Sequence, residues 1–209
     1  MTKRLPILIE TAIGQTVVLR KTLSDRFERQ TRALVAEGKQ RITCSTGCSH
    51  CCYHPISISI TEGITTYRWL VSHGKWTLAL RDRLRAAADQ QMGTPPEILL
   101  LAMVPCPLLE DNKCMSHSAR PLICRTYFAV SDPHYCHPHR LGEHTKIVPR
   151  TAVVDEFHRS QGALLRKHRL QLLTIPIAVA VLLAERVCSG EVDFGAVDKV
   201  LIKEYGEKS

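Results

Sequence analysis

Four cysteines stand within nine residues, Cys44-Ser-Thr-Gly-Cys48-Ser-His-Cys51-Cys52, and four more follow at Cys106, Cys114, Cys124 and Cys136. Thiols this dense converge in space whatever the fold around them. Convergent thiols bind soft or borderline metals or iron–sulfur clusters, or they oxidise to disulfides. The ninth cysteine, Cys188, stands alone in an apolar run and reads as an inert, buried thiol.

The start of the chain bears on that choice. Its apolar stretch runs only from Leu5 to Ile9, shorter than the roughly 7–15 apolar residues of a secretory signal. A reducing, cytoplasmic location is therefore expected, and stable disulfides are rare there. The adjacent pair Cys51–Cys52 also argues against simple bridges, because neighbouring side chains point in different directions. Metal binding thus ranks above a disulfide framework and above metal-free redox thiols.

A single zinc takes four ligands at tetrahedral corners, each sulfur at about 2.3 Å. Cys48 and Cys51 could fill two corners, whereas Cys51 and Cys52 would struggle to serve one ion together. The adjacent pair is easier to explain if it serves two irons of one cluster, or two nearby sites. A 4Fe–4S cluster takes four thiolates on four separate irons. Eight thiolates could hold two clusters, one cluster and one zinc, or two zincs, and iron–sulfur is favoured over zinc alone. His50, His54, His134, His137 and His139 all lie within three residues of a motif cysteine. Imidazole can replace a thiolate on zinc or iron, and His137 is the first candidate; a loop histidine is otherwise simply solvated.

The elements that must position these residues read as helices. At 209 residues and 44% hydrophobic content, one globular domain spanning 1–209 is expected, mainly α, with a loop-rich cysteine core over 44–136 and one short hairpin. Helical segments over 11–37 and 151–205 flank it. Val17, Val18, Phe27, Leu34 and Val35 give the first segment an apolar face, and Gly38 is a plausible stop. Pro55–Ile60 alternates like a short strand or an extended lead-in. Thr61 reads as the N-cap of a helix faced by Ile64, Tyr67, Leu70 and Val71, closed at Gly74. Further helices are expected over Lys75–Met92 and Glu97–Met103. Asp111-Asn112 marks a tight hairpin with Cys106 and Cys114 at its ends. Ser118 and Pro121 open a brief helix carrying Cys124. A loop rich in His and Pro follows, then helices over Thr151–Leu173, Pro176–Cys188 and Gly195–Tyr205.

The longest apolar stretch, Leu172–Ala184, has 13 residues and contains Thr174 and Pro176. A membrane span needs about 20 apolar residues, so this is a core element and no membrane association is expected. The net charge of +8 comes from 28 basic and 20 acidic residues. It permits an acidic partner such as nucleic acid, but the charges are scattered and aromatics make up only 5%, which gives stacking on single strands little support. No Gly-rich nucleotide loop follows a strand, and no Ser/His/Asp or paired-carboxylate arrangement can be read, so enzymatic activity stays undecided.

With CSTGCSHCC, CPLLEDNKC and ARPLICRTY in view, the chain resembles the YkgJ-type cysteine-cluster family, a zinc- or iron-chelating domain named for a CxxCxxCC motif. The resemblance runs from Cys44, Cys48, Cys51 and Cys52 through Cys106 and Cys114 to Arg120-Pro121-Leu-Ile-Cys124-Arg125 and then Cys136. The first spacing is x3 where the family name implies x2. Membership implies metal chelation. Family members are described as iron–sulfur oxidoreductase-like, and a related cluster occurs in the flagellin lysine methylase.

Arg120 and Arg125 flank Cys124. They would stabilise an anionic cluster or bind an acidic substrate beside it, or else pair with Glu110 or Asp111. Three functions follow as expectations. One is a metal-cluster protein, 4Fe–4S for preference, with a redox or substrate-activating role. A second is a structural zinc module that meets nucleic acid or protein. The third is an accessory subunit that docks a protein partner through its terminal helices.

Overall fold

The computed structural model describes residues 5–45, 47–142 and 144–206. The expected mainly helical class is what it shows: eight α-helices and two short antiparallel strand pairs among the described residues. The first helix, α1, spans Ile7–Ala36 and starts four residues before the expected boundary, behind Pro6 at its N-cap. Proline fixes the extended backbone that an N-cap requires. Gly38, at φ +68°, ends the run in the left-handed region.

Strand β1 (Ser57–Ser59) leads into α2 (Ile60–Ser72). The cap is Ser59 rather than Thr61: Ser59 Oγ accepts from Glu62 N at 3.3 Å, and Glu62 Oε2 accepts from Ser59 N at 3.2 Å. This is a reciprocal capping box. Next come α3 (Leu78–Met92), capped by the Thr77 side chain, and α4 (Pro96–Leu101). The hairpin forms at Asp111-Asn112, β2 (Leu109–Glu110) pairing with β3 (Lys113–Cys114), but it is shorter than expected: Cys114 ends it and Cys106 lies three residues before it. Asp111 and Asn112 both sit at positive φ, 48° and 58°, the conformation a two-residue turn of this hand demands. Helix α5 is a single turn, Leu122–Arg125.

The C-terminal half differs from expectation in one place. Helix α6 (Thr151–Lys167) stops six residues early, and Arg169 at φ +58° turns the chain. A short connection over 168–173 leads into β4 (Thr174–Pro176), which pairs antiparallel with β1 and aligns Ile58 with Ile175. Helices α7 (Ile177–Ser189) and α8 (Val197–Tyr205) follow.

The main core lies between α2 and α7, with Ile64, Leu70, Val181, Ala184, Val187 and Cys188 fully buried. Gly63 permits this close approach: a Cβ there would lie 2.6 Å from the Ala180 carbonyl oxygen. A smaller cluster joins Leu23 and Phe27 of α1 to Leu122 of α5 and to Val153 and Phe157 of α6. No helix among the described residues is long and apolar enough to cross a membrane.

Candidate metal centre

The cysteine core is built from loops pinned to these helices. After α1, Thr43 N–H donates to the Ala129 carbonyl at 3.0 Å, and Ala129 N–H donates back to Cys44 Sγ at 3.2 Å. Gly47, at φ +89°, supplies the turn between Cys44 and Cys48. Cys51 and Cys52 ride on a single 3₁₀ turn, His50–Tyr53. The Cys52 carbonyl accepts from Cys106 N at 2.7 Å, tying the first motif to the hairpin. Cross-strand pairing sets Cys114 opposite Leu109, and Ser116 Oγ lies 3.7 Å from Cys114 Sγ.

Cys124 is held from beneath. The Leu122 N–H at the start of α5 donates to Glu62 Oε1 at 2.9 Å. Glu62 is only 3% exposed, and Arg20, 7% exposed, lies beside it and donates to the Ala119 carbonyl at 3.4 Å. Gln161 of α6 closes the network, donating to Ser59 Oγ at 2.9 Å and to Thr61 Oγ1 at 2.8 Å. One buried carboxylate thus couples the cap of α2 to the segment that carries Cys124.

Seven of the eight motif cysteines line one cavity of about 730 Å³: Cys44, Cys48, Cys51, Cys52, Cys106, Cys114 and Cys124. Cys136 is buried and stands off the cavity wall. Its carbonyl lies 3.1 Å from His54 Nε2. Cys188 is remote from the motif and completely buried in the main core. All nine cysteines are free thiols.

Arg120 lines the cavity, while Arg125 stands outside it and donates to the Arg120 and Ser118 carbonyls. Among the described residues neither pairs with Glu110 or Asp111; the acidic groups acting on Arg125 are Asp25 and Glu28. His54 and His117 reach the wall. His137 does not: its ring lies 5.6 Å from that of His50, and its Nδ1 accepts from His139 N at 3.3 Å.

One wall residue, Arg150, escaped the sequence reading, and it stacks on a second, Tyr127. Arg150 sits 4.6 Å over the Tyr127 ring and donates to the Ile123 carbonyl. Tyr127 itself stands edge-on to His54 at 5.5 Å. Tyr127 closes the CRTY segment and so was in view. Arg150 lies 14 residues beyond Cys136, and no local signal ties it to the thiols. It arrives because the chain folds back through the Ala129–Ile147 bridge.

Burial dominates the electrostatics, and thiol crowding adds to it. Burial first, then the neighbouring thiols Cys114 and Cys51, push Cys106 up to about 12. Burial with Cys44, Cys48 and Cys51 pushes Cys136 up to about 11. Cys124 is raised well above the ordinary thiol range by burial and by Cys106, Cys51 and Cys114. Cys51 is the exception. A hydrogen bond from Cys52, followed by Arg120 and Arg150, makes it the more acidic of the adjacent pair. Thiols that disfavour one another's ionisation are stabilised as thiolates by a cation among them, and a donor set rich in thiolate selects zinc or iron–sulfur chemistry. Among the described residues no three His, Cys, Asp or Glu side chains converge on a single ion position; the sulfurs are distributed around the cavity. The chemistry of the donor set, rich in thiols, fits a zinc- or iron-chelating role.

A family model, CxxCxxCC, described as a putative zinc- or iron-chelating domain, matches residues 43–148. That is just over half of the 209-residue chain, and the chain belongs to this metal-chelating family. Neither the curated proteins nor the solved structures contain a match. The matched region reaches past Cys136 to include the fold-back through Ile147 that the expected 44–136 core left out.

Proposed function

We propose that the chain is an iron–sulfur protein that draws its cluster ligands from Cys44, Cys48, Cys51, Cys52, Cys106, Cys114, Cys124 and Cys136. The observation that carries this reading is the cavity of about 730 Å³ walled by seven free thiols together with Arg120 and Arg150. A lone zinc draws its four sulfurs to about 2.3 Å of one point. An iron–sulfur cluster distributes them over separate irons, which agrees better with thiols spread around a wide wall and with an adjacent Cys–Cys pair.

When bound, such a cluster supplies one-electron transfer or a Lewis-acidic iron. The protein's own groups tune the site. Arg120 and Arg150 offset thiolate charge and give an anionic substrate a place to bind. Arg125 steadies Arg120 by donating Nε to its carbonyl at 3.1 Å. The hydrogen bond from Ala129 N–H to Cys44 Sγ withdraws charge from sulfur, which would raise the potential of a cluster bound there. Ile56, Leu108, Ile123 and Phe128 on the same wall keep the dielectric low.

Reducing anaerobically purified protein while following its visible absorption and paramagnetic resonance tests the redox reading. Bleaching with a new resonance signal supports it. A colourless protein carrying only zinc transfers the role to a structural staple.

A further inference from the structure

We propose that His54 is a metal ligand, offering its Nδ1 lone pair to the cysteine-lined cavity beside the thiols. This inference rests on the reading of that cavity as a metal centre and adds an imidazole to its donor set.

One hydrogen bond sets the tautomer. His54 Nε2 lies 3.1 Å from the Cys136 carbonyl oxygen. A carbonyl oxygen only accepts, so Nε2 carries the proton and donates it. In the neutral ring the lone pair then belongs to Nδ1. Among the described residues nothing bonds to Nδ1. A histidine that binds a metal through one nitrogen characteristically donates from the other to a carbonyl or carboxylate, which fixes the ring and raises its basicity. His54 already has that arrangement.

The direction of the ring follows from where its neighbours stand. His54 lines the cavity, whereas Cys136 stands off the wall. The two nitrogens of an imidazole point away from each other. The edge bonded to the Cys136 carbonyl therefore turns from the cavity, which leaves Nδ1 on the cavity side. The residue is also held firmly. Its backbone N–H donates to the Cys51 carbonyl at 3.3 Å, and the Tyr127 ring stands edge-on to the imidazole at 5.5 Å. A side chain fixed in this way is preorganised for a ligand's role. The thiols are spread around the wall, and His54 adds a nitrogen there whichever of them bind.

The other histidines near the thiols each lack one of these conditions. His117 reaches the wall but is exposed, and among the described residues no carbonyl holds its ring. His139 Nε2 has a carbonyl partner, Leu101 O at 2.8 Å, yet His139 is exposed and stands off the wall. His50 and His137 face each other at 5.6 Å, also off the wall.

The test loads the full chain anaerobically with zinc, and separately with ferrous iron and sulfide. X-ray absorption fine structure reads the zinc form, and pulsed paramagnetic resonance reads nitrogen coupling in the reduced iron–sulfur form. The wild type should show imidazole scattering with nitrogen at about 2.0–2.1 Å beside sulfur at about 2.3 Å, or a nitrogen coupling to the cluster. His54→Asn should lose that signal and His137→Asn should keep it, with helical circular dichroism checking the fold. His54→Cys restores a donor, so it should keep its metal and still lose the nitrogen signal. A loaded wild type with sulfur alone at its metal overturns the assignment, even if every variant fails to fold. So does a nitrogen signal that persists in folded His54→Asn or His54→Cys. A wild type that takes up neither iron nor zinc refutes the metal centre itself, and metal content separates that failure from a sulfur-only site.

Discussion

Glu62 makes no contact with the cavity, yet its removal should loosen the centre. Its carboxylate accepts from Leu122 N at 2.9 Å, Ser59 N at 3.2 Å and Ser59 Oγ at 3.1 Å, in a setting only 3% exposed. Glu62→Ala leaves two buried backbone donors without a partner. Each orphaned donor costs about 1–3 kcal/mol, so a loss of about 2–6 kcal/mol is expected, a large share of the roughly 5–15 kcal/mol that holds a domain folded. Glu62→Gln keeps one acceptor oxygen but turns an amide N–H₂ toward a backbone donor, and about half that loss is expected. The first turn of α5 is what comes free, and Cys124 sits on it. Urea denaturation measures the stability loss, and the rate of metal release to a chelator reads the effect at the site. Both should change together. A Glu62→Ala protein within about 0.5 kcal/mol of wild type, releasing metal no faster, would refute the view that this carboxylate positions the Cys124 segment.

Gly63→Ala puts a methyl 2.6 Å from the Ala180 carbonyl oxygen and should cost about 1–3 kcal/mol through separation of α2 and α7, seen as a lowered thermal midpoint. Cys51→Ser and Cys52→Ser should lose metal, whereas Cys188→Ser, buried in the main core, should retain the full complement; metal analysis distinguishes them. In the metal-free chain the thiols of Cys106 and Cys136 are pushed up to about 12 and about 11, above the unfolded value of about 8.5. They stay protonated in the fold while unfolded chains ionise, so their contribution to stability is full below about pH 8.5 and is lost as pH rises through the folded values. Urea midpoints of chelator-treated protein should therefore fall between pH 8 and pH 10.5, and a rising midpoint would contradict this.

Local chemistry made much of the site legible in the sequence. Asp111-Asn112 announced the hairpin because few residue pairs accept two consecutive positive φ angles. Gly38 and the cysteine spacing were equally direct. The capping box shifted the start of α2 by two residues because Ser59 and Glu62 satisfy each other reciprocally, which Thr61 could not do. Strand β4 was hidden for another reason. Thr174–Pro176 lies in an apolar run that suits a buried helix, and only its long-range partner Ser57–Ser59 makes it extended. Arg150 was hidden likewise, since its place depends on the fold-back of 129–147 and not on any spacing.

Metal and acid-labile sulfide analysis of protein purified without oxygen, read with its absorption spectrum, tests the central claim most directly. Iron and sulfide in equal amounts, with a broad band toward the violet, are the predicted result. Protein that holds neither iron nor zinc, with all nine thiols free to titrate, would contradict the metal centre, and zinc without sulfide would contradict its iron–sulfur character.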